Sequence, residues 1–113
     1  MKFGLEESVY RQIKSIVNNN SKYHFKIFGS RARGDYKKTS DIDVAIFKNV
    51  TKEEEYKIRN EFDELDIIYK IDLVFIDKKT KQELLNSIIR DGVDLWWEDL
   101  KKEEKSFQMQ YKG

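Results

Sequence analysis

Three aspartates and one glycine-serine turn hold most of the chemistry this sequence can offer. Asp41 and Asp43 bracket Ile42 at the head of an apolar run, so on a strand their carboxylates share one face. Alternate strand residues stand roughly 6.5–7 Å apart, close enough for carboxylate oxygens to converge on a pair of ions. Two magnesium ions roughly 3.5–4 Å apart stabilise both the attacking and the leaving oxygen of an in-line displacement. An isolated Asp-x-Asp is more often the solvated face of an edge strand, or a turn cap. Here both acids precede an apolar run, where burial should begin, and that bland reading weakens.

Asp72 supplies a third carboxylate, inside the run Ile71-Asp72-Leu73-Val74-Phe75-Ile76. An acid among strand-forming apolar residues is costly unless it is paired or metal-bound, although an edge strand could turn it to water. Asp77 closes the run as a turn residue or helix cap. Gly29 and Ser30 follow another apolar run, with ten residues between Ser30 and Asp41. Glycine lets a ligand approach the backbone closely, and N–H groups in such a turn can hold phosphate oxygens, with the serine hydroxyl as a further donor. Arg31 and Arg33 could neutralise triphosphate charge, or one of them could pair internally with a carboxylate. Gly34 permits the chain to reverse. A phosphate grip beside a metal grip points to chemistry on a nucleoside triphosphate.

The elements that must position these residues follow from periodicity. Leu5, Val9, Ile13, Ile16 and Val17 recur at helical spacing and predict a helix over about residues 5–18. Tyr23–Phe28 reads as a short strand, Arg31–Gly34 as one helical turn and Asp35–Ser40 as a polar loop. Ile42, Val44 and Ile46 alternate with Asp41, Asp43, Ala45 and Phe47 along a second strand. Thr51 and Glu54 have capping-box spacing, opening a helix whose buried stripe would be Ile58, Phe62, Leu65 and Tyr69. Ile71–Ile76 is a third strand. Thr80 and Glu83 repeat the capping-box pattern before Leu84, Leu85, Ile88 and Ile89, with Gly92 as the residue that ends that helix. For the turn and the aspartates to meet one ligand, strands one and two must run antiparallel and strands two and three parallel. The helix between the latter pair is the crossover a parallel pairing needs. The expected fold is α/β, in the order αβαβαβα, with a small mixed sheet and helices packed around it.

Composition narrows the function further. The 113 residues suit a single domain, with about 101–113 as a polar C-terminal extension. Basic residues number 22 and acidic residues 21, so the net charge of +1 lacks the basic excess of a duplex-binding domain, and no direct nucleic-acid binding is expected. The absence of cysteine excludes disulfides and thiolate metal sites, and the lone His24 makes a histidine-rich zinc site implausible; it is expected at the surface or core edge. No stretch reads as a membrane span or a signal peptide, which makes a cytoplasmic protein without membrane association the expectation. Trp96 and Trp97 would divide between filling the core and anchoring a partner.

Gly29-Ser30, the spacer of ten, Asp41-Ile42-Asp43 and Ile71-Asp72-Leu73 together resemble the signature of the DNA polymerase β-type nucleotidyltransferase superfamily. Within it, Gly-Ser-Arg-Ala-Arg-Gly followed by Ser-Asp-Ile-Asp resembles the minimal nucleotidyltransferases, or MNT proteins. The resemblance implies transfer of AMP from ATP to an acceptor hydroxyl with two Mg2+ ions. Asp41 and Asp43 would bind both ions, Asp72 would complete the catalytic metal site, and Gly29 and Ser30 would hold the triphosphate tail. No acceptor-binding domain is apparent in the chain. That fits the MNT antitoxins, which are paired with HEPN-domain toxins and adenylylate a tyrosine on them; a hetero-oligomer with the toxin is expected. A non-catalytic antitoxin that neutralises its partner by binding, and a small-molecule nucleotidyltransferase subunit, are the alternatives.

Overall fold

The computed structural model describes residues 2–95; Trp96, Trp97 and the polar extension lie outside the described residues. The chain runs α1 (Glu7–Asn19), β1 (His24–Phe28), α2 (Ser30–Arg33), β2 (Ile42–Phe47), α3 (Lys52–Asp63), β3 (Ile71–Phe75), α4 (Gln82–Asp91) and β4 (Val93–Asp94). The strands lie in the order β3-β2-β1-β4. β1 is antiparallel to β2 and to β4, whereas β2 and β3 are parallel. The mixed sheet demanded by the placement of the acids is therefore present, with β4 added at the far edge.

Strand alternation sorts the apolar side chains into two layers. Phe25, Ile27, Ile42, Val44 and Ile46 face α1 and α3, packing with Val9, Ile13, Val17, Ile58 and Phe62 in the main core. Phe28 and Ala45 face the other way and meet Ile88 of α4. Burial of such residues contributes about 1.5–3 kcal/mol each, and this dominates a sheet of short strands. Lys14 on α1 is buried, and its Nζ donates to the Leu95 carbonyl at 2.6 Å. That bond ties the end of the described chain to the first helix. Among the described residues, no helix is long and apolar enough to cross a membrane.

Local chemistry explains where the elements stop. Thr51 caps α3 as expected, its hydroxyl accepting from the Glu54 N–H at 3.2 Å, a contact worth about 1 kcal/mol. The stripe assigned to α3 breaks early, however. The helix ends at Asp63, so Leu65 and Tyr69 belong to the connection to β3, although both still pack against the main core. The chain must turn there to bring Ile71 beside Ile42, and two apolar residues in helical phase do not outweigh that requirement.

The second capping box does not form. Lys81 occupies the N-cap of α4, with no side-chain cap bond. Thr80 Oγ1 instead accepts from the Asp77 N–H at 3.0 Å, and Asp77 Oδ1 accepts from the Lys79 N–H at 2.8 Å. The turn after β3 thus takes the hydroxyl that the helix would have used. Gly92 ends α4 in an extended conformation (φ −69°, ψ 142°), not a left-handed one. A Cβ at this position would collide with the Ile88 carbonyl, so close approach is what requires glycine there.

Candidate active site

The parallel register of β2 and β3 sets Asp43 directly beside Asp72, and neighbouring strands lie about 4.8 Å apart. On the other side of β2, Phe28 pairs with Asp43, so the chain leaves β1 for the Gly29-Ser30 turn right at this carboxylate. Gly29 has φ +76° and ψ −156°, a conformation open essentially to glycine alone. A Cβ there would also strike Asp43 Oδ2. The backbone and the carboxylate both require the missing side chain. Asp41 lies two residues before Asp43, immediately ahead of β2.

Electrostatics shows that burial and the neighbouring acids act on Asp43. The Asp43 carboxyl is raised above its ordinary 3.8, first by burial, then by the charges of Asp72 and Asp41, while Arg33 pulls it the other way. Asp72 Oδ1 lies 3.7 Å from Lys70 Nζ, a pair exposed enough to contribute little to stability. Lys70 was not singled out from sequence, although the Lys-x-Asp spacing on a strand places both side chains on one face. Among the described residues, no three acid or histidine side chains are already gathered into a metal cage. The donor chemistry nevertheless suits magnesium. Three carboxylates are hard oxygen ligands, and a divalent cation would offset both the burial and the repulsion that raise Asp43.

The two arginines separate sharply. Arg31 is 2% exposed, and its guanidinium is spent on backbone carbonyls. Nε and Nη2 donate to Ser40 O at 3.1 and 2.9 Å, Nη1 donates to Phe3 O at 3.0 Å, and Nη2 reaches Lys38 O at 3.3 Å. The rings of Tyr36 and Tyr69 lie 5.2 and 4.8 Å from its centre, close enough for cation–π attraction. The internal role considered for an arginine is therefore filled by Arg31, through carbonyls and not through a carboxylate. Its donors are not free for a triphosphate, and its place among expected nucleotide contacts is corrected accordingly. What it does is fasten the loop that delivers Asp41, helped by Ser40 Oγ accepting from the Lys37 N–H at 2.8 Å.

Arg33 remains half-exposed beside the acids. Its Nε donates to Asp35 Oδ2 at 3.2 Å, and Nη1 lies 3.7 Å from Asp91 Oδ2 at the end of α4. Asp91 also binds Arg90 at 2.9 Å, and this hydrogen bond is the main reason its carboxyl lies below the usual range. Nothing local in the sequence links residue 91 to residue 33. Gly34 sits in the left-handed region (φ 96°) and closes α2, its N–H donating to Ser30 O at 2.9 Å.

Two outcomes follow from this geometry. Replacing Arg31 with methionine strands several part-buried carbonyls and should lower unfolding free energy by roughly 3 kcal/mol in urea denaturation; an unchanged midpoint would contradict its anchoring role. Because the Asp43 carboxyl is raised in the folded state, the native protein binds more protons than the unfolded chain just above pH 3.8, and stability falls as pH rises through that window. Asp43→Asn should therefore be more stable than the parent at pH 7, with the gap closing near pH 3. Equal stability at pH 7 would count against a raised Asp43 carboxyl.

Comparison with known proteins agrees with this geometry. The family described as Polymerase beta, Nucleotidyltransferase matches residues 11–101. No curated protein matches the chain. Among solved structures, a chain of a toxin–antitoxin crystallised with AMP-PNP superposes with a TM-score of 0.58 at 18% identity, covering 92% of this chain and 98% of that one. A chain from the tri-AMPylated Shewanella oneidensis HEPN toxin in complex with MNT antitoxin gives 0.55 at 16% identity, covering 96% and 100%. At such identities these likenesses speak to the fold. The family match spans most of the sequence and includes all three aspartates and the glycine-serine turn, so the chain belongs to the Polymerase beta nucleotidyltransferase family.

Proposed function

We propose that this chain is a magnesium-dependent adenylyltransferase that moves AMP from ATP to a hydroxyl, a tyrosine, on a partner HEPN toxin, and so acts as its antitoxin. The observation that carries the reading is the register that sets Asp43 beside Asp72 at the mouth of the Gly29-Ser30 turn. The family match supports nucleotidyl transfer. The toxin of one structural relative is tri-AMPylated, which supports a protein acceptor.

In this reading Asp41 and Asp43 would hold two magnesium ions and Asp72 would complete one of the two sites. Bound there, magnesium supplies charge neutralisation for the triphosphate and the departing pyrophosphate. Gly29 leaves room for the β- and γ-phosphates against the backbone, and the Ser30 hydroxyl donates to them. Arg33 supplies positive charge at the rim. The acceptor oxygen attacks the α-phosphorus and forms a new P–O bond. The bond from that phosphorus to the α–β bridging oxygen breaks, and pyrophosphate leaves. The acceptor proton passes to the Asp72 carboxylate and then to water. Positioning and charge provide most of the acceleration in such a transfer.

Incubation with labelled ATP, magnesium and the HEPN protein encoded by the adjacent gene should label that protein. Chelation of the metal, or Asp41→Asn combined with Asp43→Asn, should cut labelling by about a hundredfold or more. Equal labelling by the double variant would exclude the carboxylate mechanism. Protection of cells by that variant would favour stoichiometric neutralisation, and label appearing only on a small alcohol would favour a small-molecule acceptor.

A further inference from the structure

β3 is an edge strand, and its hydrogen-bond ladder shows which of its backbone groups are spoken for. Ile42 N donates to Lys70 O at 2.9 Å, and Ile76 N donates to Ile46 O at 2.9 Å. In a parallel pairing this phase turns the backbone of Asp72 and Val74 toward β2 and that of Ile71, Leu73 and Phe75 outward. Among the described residues, no backbone partner reaches those three outward-facing residues.

Edge strands are normally blunted by proline, lysine or a bulge, because an unpaired row of N–H and C=O groups invites another strand. Here the only such charges are Lys70 and Asp72, which lie together at the first end of the strand 3.7 Å apart, and the rest of β3 carries none. The chain has no proline. The pairing of β3 with β2 runs unbroken over five residues, and the strand's only charge is Asp72 itself. The opposite edge of the sheet, β4, is two residues long.

We propose that the open edge of β3 is the acceptor dock. An extended segment of the acceptor protein adds to the sheet there, and the residue opposite Asp72 carries the hydroxyl. Residues paired across a sheet point to the same face. Phe28, Asp43 and Asp72 already form such a line across β1, β2 and β3. The next position on that line, about 4.8 Å beyond Asp72, belongs to the incoming residue, and its side chain stands on the carboxylate face.

The neighbours of that residue point to the opposite face. A cleft of about 510 Å3 lies along this side of β3, walled by apolar residues including Leu65, Ile71 and Leu73 and by the charged Arg59, Asp63 and Lys70. The site therefore fits an extended segment whose hydroxyl residue is flanked by side chains that pair an apolar body with a polar tip. Only a polypeptide supplies the matching row of backbone donors and acceptors; a small alcohol would leave the edge unpaired. The inference rests on the protein-acceptor reading above and names where that acceptor binds.

Residue-resolved amide exchange tests it, on this chain alone and in complex with the adjacent-gene HEPN protein and a non-hydrolysable ATP analogue. The Ile71, Leu73 and Phe75 amides should exchange readily in the free protein and slow by about tenfold or more in the complex. The Asp72 and Val74 amides should be protected in both. Protection of the three amides in the free protein would mean that the chain covers its own edge, and would overturn the dock. Leu73→Pro removes one outward donor and no bond to β2. It should raise the acceptor KM about tenfold with ATP affinity retained. An unchanged KM in a variant that keeps Asp72 and Val74 protected would also overturn the dock, and if the variant does not fold, exchange in the parent chain decides. AMP labelling without edge protection overturns the dock and leaves transfer standing; protection without labelling retains the dock and overturns transfer.

Discussion

Placing carboxylates side by side on adjacent strands is unfavourable, and much of this fold is arranged around that fact. Asp43 and Asp72 share a register position, and Asp41 adds a third charge at the head of the same strand. Burial first, and this crowding after it, raise the Asp43 carboxyl. A sequence selected for stability alone would not keep three acids there. A site for a triphosphate and its divalent cations gains from them, because the repulsion in the free protein becomes attraction once positive charge is bound.

Holding the acids in place falls to groups that take no part in the chemistry. The apolar side chains of β1 and β2 bury against α1 and α3 and fix the strands. Arg31, sealed between two tyrosine rings, pins the 37–40 loop to the Phe3-Gly4 segment through carbonyls. That loop delivers Asp41. A positive charge next to the Gly29-Ser30 turn thus serves the scaffold, while Arg33, two residues on, stays at the rim with Asp35 and Asp91.

The parts of this arrangement that were legible in the sequence are those that chemistry forces. Three acids and one turn can meet a single ligand only if the first strand pair is antiparallel and the second parallel, and that is the sheet observed. Periodicity located the buried face of α1, but on α4 it was right only in part: Ile88 is buried and Leu84 packs beside it, whereas Ile89, one residue on and so turned about 100° around the helix, is 61% exposed. Periodicity could not foresee that α3 stops before Leu65, since apolar residues in a packed connection keep the same spacing by chance. Nor could it assign the Thr80 hydroxyl, for which a turn and a helix compete within four residues. β4 was missed because two residues carry no pattern. Arg31 could not be resolved either, because its partners are backbone carbonyls, which every residue possesses.

The central claim is that the three acids form one electrostatic unit made for a divalent cation. It is tested most directly by following the Asp43 carboxyl carbon through a pH titration by NMR, in the parent chain and in Asp72→Asn, with and without magnesium. The account requires Asp43 to titrate above 3.8 in the parent, to move down when Asp72 is neutralised, and to move down further when magnesium is added. An Asp43 that titrates in the ordinary carboxylate range throughout, indifferent to both Asp72 and magnesium, would contradict it.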